Sequence, residues 1–430
     1  MTALQDYTAR LSHFSRNAKL YLLSSLMGSL AFSIYALFFN LYILSLGYSQ
    51  ALVGILAAVP ALVTAAVALP TGYLGDRVGH RRTMILGALL VIVAFLGILL
   101  FTGVAALILF TGLYGLGTAL ELVISAPFMA ENSGEDERTH LFSAQFALMM
   151  GAGLFGSALG GVLPGLMHRA WGVPFGSPLA YRGTLLVAML LATLALWPLW
   201  RLAPPPAGRL VAALRLRLRT PIGKLARLLL PNILIALGAG LLIPFLNVFF
   251  RLLFHISDAL LGLLFAGGAL ATAIATLSVP LLALRLGRVR TIVWSQLASI
   301  PFMLLMGFAP QLSWAALGYL LRGVLMPMTA PLYSLFIMEH VAAPERATVN
   351  GLSAMGWNIA FGLGAWLSGL IQIRWGFGPL FLATTVIYLL GTLLIQLYFP
   401  AIEQGESRSE HALDAAQPQQ AGGSVPTLRD

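Results

Sequence analysis

Segments of this chain recur at one constant offset of 208 residues. Ser49-Gln50-Ala51-Leu52-Val53-Gly54 returns as Ser257-Asp258-Ala259-Leu260-Leu261-Gly262. Arg77-Val78-Gly79-His80-Arg81-Arg82-Thr83 returns as Arg285-Leu286-Gly287-Arg288-Val289-Arg290-Thr291, and Glu131 with Glu137-Arg138 as Glu339 with Glu345-Arg346. Chance matches drift in spacing, whereas a duplicated unit keeps it. The duplicated unit is a string of long apolar segments. A two-fold repeat of apolar helices places a ligand site between the halves, near the middle of a bilayer.

Charge content supports a membrane setting. Charged residues make up 9% of the chain, against roughly 25% in soluble domains, too few to cover a water-facing surface. Stretches long enough for about 30 Å of hydrocarbon run over residues 19–44, 50–73, 83–103, 105–131, 140–168 and 179–202, then 227–252, 259–284, 291–310, 312–339, 347–373 and 377–400. The expected fold class is an all-α integral membrane protein with twelve transmembrane helices in two pseudo-symmetric six-helix bundles. Its parts are a segment 1–18, a bundle 19–202, a linker 203–226, a bundle 227–400 and a tail 401–430. The linker opens on Pro204-Pro205-Pro206 and mixes Leu and Arg up to Arg219, which suits a helix lying on headgroups or a plain tether. The charged, small-residue-rich tail is expected to be disordered.

Basic residues keep to the cytoplasmic side of short membrane loops. With the N-terminus inside, 20 of the 25 basic residues fall on cytoplasmic segments, Arg169, Arg182, Arg251 and Arg374 fall outside, and Arg322 lies within a helix. The chain is therefore expected in the cell (inner) membrane, multi-pass, with both termini cytoplasmic. Its net charge of +10 is spread over loops with no nucleic-acid motif, so anionic lipids at the cytoplasmic face are the expected partner. No removable signal peptide is read in the first 18 residues. With no cysteine, thiol chemistry and Cys-based metal sites are excluded. The histidines fall in loops or near helix ends without catalytic or metal-ligand spacing, and no Gly-Lys-Ser/Thr phosphate loop is present. Neither an enzyme nor a cofactor or metal is expected.

Gly72-Tyr73-Leu74-Gly75-Asp76-Arg77-Val78-Gly79-His80-Arg81-Arg82 closely resembles the signature between helices 2 and 3 of the major facilitator superfamily. With twelve spans in two halves, the resemblance covers residues 19–400. It implies a two-bundle fold that rocks between inward-open and outward-open states around a central site. Gly72, Gly75 and Gly79 suit a tight turn, and Arg77, Arg81 and Arg82 pin it to the membrane surface. The resemblance implies that Asp76 meets the N-terminal end of helix 11, read here as starting at Pro344-Glu345-Arg346, as a conformational latch at a positive helix end. The chain departs from the pattern at His80, where a basic residue is usual, and at Leu284, which stands at the position of Asp76 in the second copy. His80 is read as a solvated loop residue.

Charged residues at membrane depth are costly and are treated as functional by default. Glu121 in helix 4 and Arg322 in helix 10 are the two such residues. Tyr114, Thr118, Glu121 and Ser125 share one helical face, and the offset maps it onto Arg322, Met326, Thr329 and Tyr333. The resemblance implies that helices 1, 4, 7 and 10 line the cavity, which adds Ser25, Ser29, Ser33, Asn40 and Asn247. Tyr114 stands where the family has an arginine in helix 4. The glycines of helices 5 and 8 are read as a sliding surface between the halves, although the Gly-Pro of drug antiporters is absent. Asn132, Ser133 and Asp136 are read as caps before helix 5. The expected activity is secondary active transport of a small organic molecule, proton-coupled through Glu121 and working as an exporter or antiporter, by a monomer. An organic-anion carrier or uniporter using Arg322 without protons is the alternative, and a non-transporting receptor or scaffold a further one.

Overall fold

In hydrocarbon the backbone has only the chain itself to bond, so each apolar stretch closes into a helix. The computed structural model describes residues 14–203 and 220–416. The first repeat forms α1 (Arg16–Ser45), α2 (Gln50–Val78), α3 (His80–Leu100), α4 (Val104–Glu131), α5 (Glu135–Trp171) and α6 (Pro178–Trp200). The second forms α7 (Ile222–Phe254), α8 (Asp258–Leu286), α9 (Arg288–Gly307), α10 (Leu312–Glu339), α11 (Arg346–Trp375) and α12 (Gly378–Ala416). All twelve contain a stretch long and apolar enough to cross a membrane.

Two ends differ from the sequence reading. Helix α7 begins at Ile222, inside the expected linker, directly after Pro221. Helix α12 continues past the span's end at Pro400 to Ala416, so the first part of the tail is helical rather than disordered. Residues 204–219, with the Leu/Arg stretch, and residues 417–430 lie outside the described residues.

The turn between α2 and α3 is made by Gly79, at φ +94°, and its repeat mate Gly287 makes the α8–α9 turn at φ +83°. That left-handed region suits glycine. Gly72 and Gly75, expected in the turn, lie inside α2 instead. Gly75 serves packing there, since an added carbon would strike the Ile124 side chain. Asn132 and Ser133 also differ from expectation. Their side chains bond back to Phe128 O and Met129 O at the end of α4, and α5 is capped by Gly134.

The two repeats use the same packing scheme. In the first, α1 packs on α5 and α6, α4 on α2 and α3, and α3 on α6; in the second, α7 packs on α11 and α12, α10 on α8 and α9, and α9 on α12. Between repeats, the closest pairs are α2 with α11 and α5 with α8. Lipid is as apolar as leucine, so these contacts rest on close backbone approach rather than on water exclusion. At both crossings glycine faces glycine: Gly54 meets Gly369, and Gly161 meets Gly262. The 208 offset exchanges the two pairs, turning Gly54 into Gly262 and Gly161 into Gly369. Of the other α5 glycines, Gly156 and Gly160 receive Ser33, Ile34 and Phe38 of α1, so they serve the bundle rather than the seam. Large exposed apolar side chains such as Leu109, Leu277 and Leu284 form the band that the bilayer covers.

Two helices are interrupted. Helix α7 carries a 3-10 turn at Ile243–Phe245 around Pro244, and α10 one at Pro327–Thr329. Proline has no N–H to give to the helix ladder. The face read across Arg322, Met326, Thr329 and Tyr333 is therefore not a regular helical face.

Candidate functional site

The turns carrying Arg81, Arg82, Arg288 and Arg290 define an arginine-rich face of the molecule; the turns at Ser49 and Ser257 define the arginine-poor one. Along α1, every residue from Leu37 to Ile43 is buried, and along α7 every residue from Phe245 to Phe250. A helix buried on all sides faces neither lipid nor a cavity. These two segments form a plug on the arginine-poor side. Towards the arginine-rich side, Ser25 to Leu30 of α1 are all half-buried, and carbons added at Gly28, Gly72, Gly151 and Gly323 would meet nothing within 4 Å. Those glycines come from both halves. The space between the bundles thus opens towards the arginine-rich face.

Three hydrogen bonds tie the halves on the closed side. Asn247 Nδ2 donates to Leu37 O at 2.7 Å, and Asn40 Nδ2 donates to Pro244 O. In an unbroken helix Pro244 O would take the N–H of Val248. Here that N–H donates to Asn247 Oδ1 at 2.9 Å, which leaves the carbonyl for Asn40. Tyr181 Oη donates to Asp258 Oδ1 at 3.0 Å, and Arg251 lies 3.8 Å from the same oxygen. Asn40 and Asn247, expected to line the cavity, belong to the seal instead.

Glu121 lies half-buried on α4, its stem against Gly87 of α3. Tyr21 Oη, within electrostatic reach of Glu121, accepts from Gln145 Nε2 at 2.8 Å and has Ser25 and Ser125 beside it. Glu121 makes no hydrogen bond or ion pair among the described residues. Its helix neighbours are occupied elsewhere. Tyr114 is buried and stacked on Tyr35 at 4.5 Å, edge-on to Phe95, and Thr118 bonds back to Tyr114 O. Neither Tyr21 nor Gln145 was anticipated, although Tyr21 and Ser25 share a face of α1.

Arg322 is 4% exposed, inside the second bundle. Its Nη2 donates to Tyr388 Oη at 3.0 Å, and its Nε has no partner. Among the described residues no carboxylate lies within ion-pair distance, so Glu121 and Arg322 are not paired in this state. Breaking a buried pair by removing one partner costs about 3–5 kcal/mol, and a buried arginine with no acid is in that position already. Thr329 is buried in the 3-10 turn, and Tyr333 donates to Leu228 O of α7 at 2.8 Å, so neither aims into the space between the halves. Tyr388, which holds Arg322, carried no sequence signal because it lies on α12, outside the expected lining helices.

On the arginine-rich face the signature residues bind within their own half. His80 bridges Glu131 at 2.8 Å and Asp76 at 3.8 Å, so it is a bridging residue rather than the solvated loop residue expected. The repeat mates of His80 and Glu131, Arg288 and Glu339, form the equivalent ion pair. Arg77 lies over the Tyr73 ring, Arg81 donates to Trp200 O at 2.7 Å, and Arg82 is exposed. The N-terminal end of α11 carries Glu345, which is buried and accepts from Thr220 N and Oγ1.

Against known proteins, a sequence profile described as Major Facilitator Superfamily matches residues 21–236 and 228–423, one match per repeat. No individual curated protein matches by sequence. Among solved structures, a bacterial homolog of the human lysosomal transporter Spinster, in an inward-facing and unoccupied conformation, is 15% identical with a TM-score of 0.71, covering 92% of this chain and 97% of that one. A D-xylose-proton symporter gives 15% identity and a TM-score of 0.72 over 88% and 96% of the two chains. The human organic anion transporter MFSD10 gives 18% and 0.61 over 88% and 99%. At such identities the likeness concerns the fold, and the cargoes named belong to those proteins.

Proposed function

The chain belongs to the major facilitator superfamily and is a multi-pass membrane transporter of the secondary kind rather than an enzyme; from that premise we propose that it moves a small organic molecule by alternating access, with protons as the coupled ion. We read the arginine-rich face as cytoplasmic, so the state described here is inward-open, in an inner-membrane protein with cytoplasmic termini that works as a monomer. Export in exchange for protons is the direction we propose.

The observation that carries the reading is Glu121, a half-buried acid with no hydrogen bond or ion pair among the described residues and within electrostatic reach of Tyr21. Its surroundings change between protein-packed and water-filled as the halves rock. That is the condition for a carboxyl to exchange a proton once per cycle. A second reading rests on Arg322, whose guanidinium has no carboxylate in reach among the described residues and an Nε without a partner, which suits a carboxylate-bearing cargo with no proton involved.

A panel of metabolites and drugs, screened for compounds that raise the melting temperature of the purified protein, identifies the cargo. Flux of that compound into proteoliposomes, with and without a pH gradient, separates the two readings. Binding without any flux would instead support a receptor or scaffold. Cysteines introduced at Ser49 and Ser257 should react with an impermeant maleimide from outside the cell, and one at Thr139 should not; the reverse pattern contradicts the orientation.

A further inference from the structure

A cavity of about 480 Å³ lies on the arginine-poor face where α5 crosses α8. One wall is Val162, Gly165, Leu166 and Arg169 of α5, and the other holds Arg251 and Asp258 of the second repeat. The cavity therefore exists only while the halves are together on this side. Val162 and Leu166 are 51% and 46% exposed, facing the hydrocarbon, whereas Arg169 stands in the last turn of α5, at headgroup level. One side of the cavity is oily and its rim is cationic.

The charges do not cancel. Arg251 donates to Ile256 O and stands 3.8 Å from Asp258 Oδ1, the oxygen that also accepts from Tyr181. Asp258 thus offsets one guanidinium. Arg169 makes no hydrogen bond or ion pair among the described residues, so its charge is left over. At the rim, His255 adopts φ +50°, a left-handed conformation uncommon outside glycine.

We propose that this cavity binds a phosphate group, supplied by the headgroup of an anionic phospholipid whose chains lie along Val162 and Leu166. Guanidinium forks match phosphate oxygens, and basic pockets between membrane helices hold such headgroups. A soluble anion would use the arginines but leave the apolar wall without a purpose. The two walls separate when this face opens, and Gly161 and Gly262 touch beside the pocket. A lipid seated here bridges the halves and favours the state it binds. The lipid acts as a regulator that pins this face shut.

The test uses spin labels on cysteines replacing Thr102 and Pro310, exposed and equivalent in the two repeats. Distances are measured in phosphatidylcholine vesicles with and without phosphatidylglycerol. Both leaflets carry the lipid, so the test does not depend on orientation. Phosphatidylglycerol should raise the ratio of short to long distances by about fivefold, the worth of one arginine at an anionic surface. Arg169→Gln should remove that rise. Gly165→Leu should remove it with both arginines intact, because Gly165 has open space beside it that a leucine would fill; the two variants together guard against one that misfolds. If inorganic phosphate in lipid-free detergent produces the same Arg169-dependent shift, the phosphate site stands and its source is soluble. No effect of phosphatidylglycerol, or an effect that persists undiminished in both variants, would overturn the proposal.

Discussion

Asn40 and Asn247 hold each other's helices by the same bond made twice: each donates its side-chain amide to the backbone carbonyl three residues before the other, Pro244 O and Leu37 O. The two asparagines are 207 residues apart, one short of the repeat offset, so the clasp follows the internal two-fold symmetry. It joins α1 to α7 where both helices are buried on every side, on the face away from the opening.

Removing the clasp should loosen that face. Side-chain hydrogen bonds between membrane helices average about 0.6 kcal/mol, so the double variant Asn40→Ala/Asn247→Ala should lose about 1 kcal/mol, a shift of about fivefold towards the state open on the arginine-poor side. Distances between labels at Thr102 and Pro310 report it, and by symmetry the single variants should be alike. Unchanged distances in the double variant would make the asparagines bystanders.

The glycine crossings should matter more than the clasp. A carbon added at Gly262 would lie 2.5 Å from Gly161 Cα, and one at Gly54 2.7 Å from Ala365 O, against backbone that cannot swing aside. Overpacking typically costs about 1–3 kcal/mol, so Gly262→Ala should open this face further than the clasp variants do. Gly151→Ala, with nothing within 4 Å, should keep the melting temperature or raise it, since glycine in a helix is destabilising by about 0.5–1 kcal/mol. Thermal melts and the same label pair check both.

The parts of the fold legible in the sequence are those that one helix, or one repeat, determines by itself. The 208 offset and the apolar stretches fix twelve spans in two matching bundles, and Gly54 is already visible returning as Gly262. The role of Asn40 and Asn247 was not legible, because polar residues deep in adjoining helices read alike whether they face cargo or the other half. Only the break at Pro244, which moves the Val248 N–H onto Asn247, decides it. The break in α10 likewise turned Tyr333 away from the face that regular spacing assigns it. Tyr388 beside Arg322 depends on which helix packs behind α10, a property of three-dimensional packing that no local pattern carries.

Asp76 lies 3.8 Å from His80 within its own half in this state, and we propose that it meets α11 in the opposite one. Asp76→Asn should therefore leave ligand binding nearly unchanged and slow turnover, because a charge at an exposed helix end is worth about 0.3–1 kcal/mol. Labels at Thr139 and Ala347 on the arginine-rich face should show the closed population there falling. Equal turnover and equal distances would leave Asp76 a turn residue only.

Arg322 gives a prediction of opposite signs. Burying a charge without a counter-charge is costly, so Arg322→Met should raise the melting temperature while removing binding of an anionic cargo. A lower melting temperature would mean that Arg322 is a structural brace held by Tyr388.

The most direct test of the account is proton-driven uptake by Glu121→Gln in proteoliposomes, with the compound found by thermal shift as cargo. Glutamine keeps the shape of the protonated acid and cannot give up a proton. The account predicts that accumulation driven by a pH gradient disappears while exchange at equal pH persists. Full pH-driven accumulation by Glu121→Gln would contradict it.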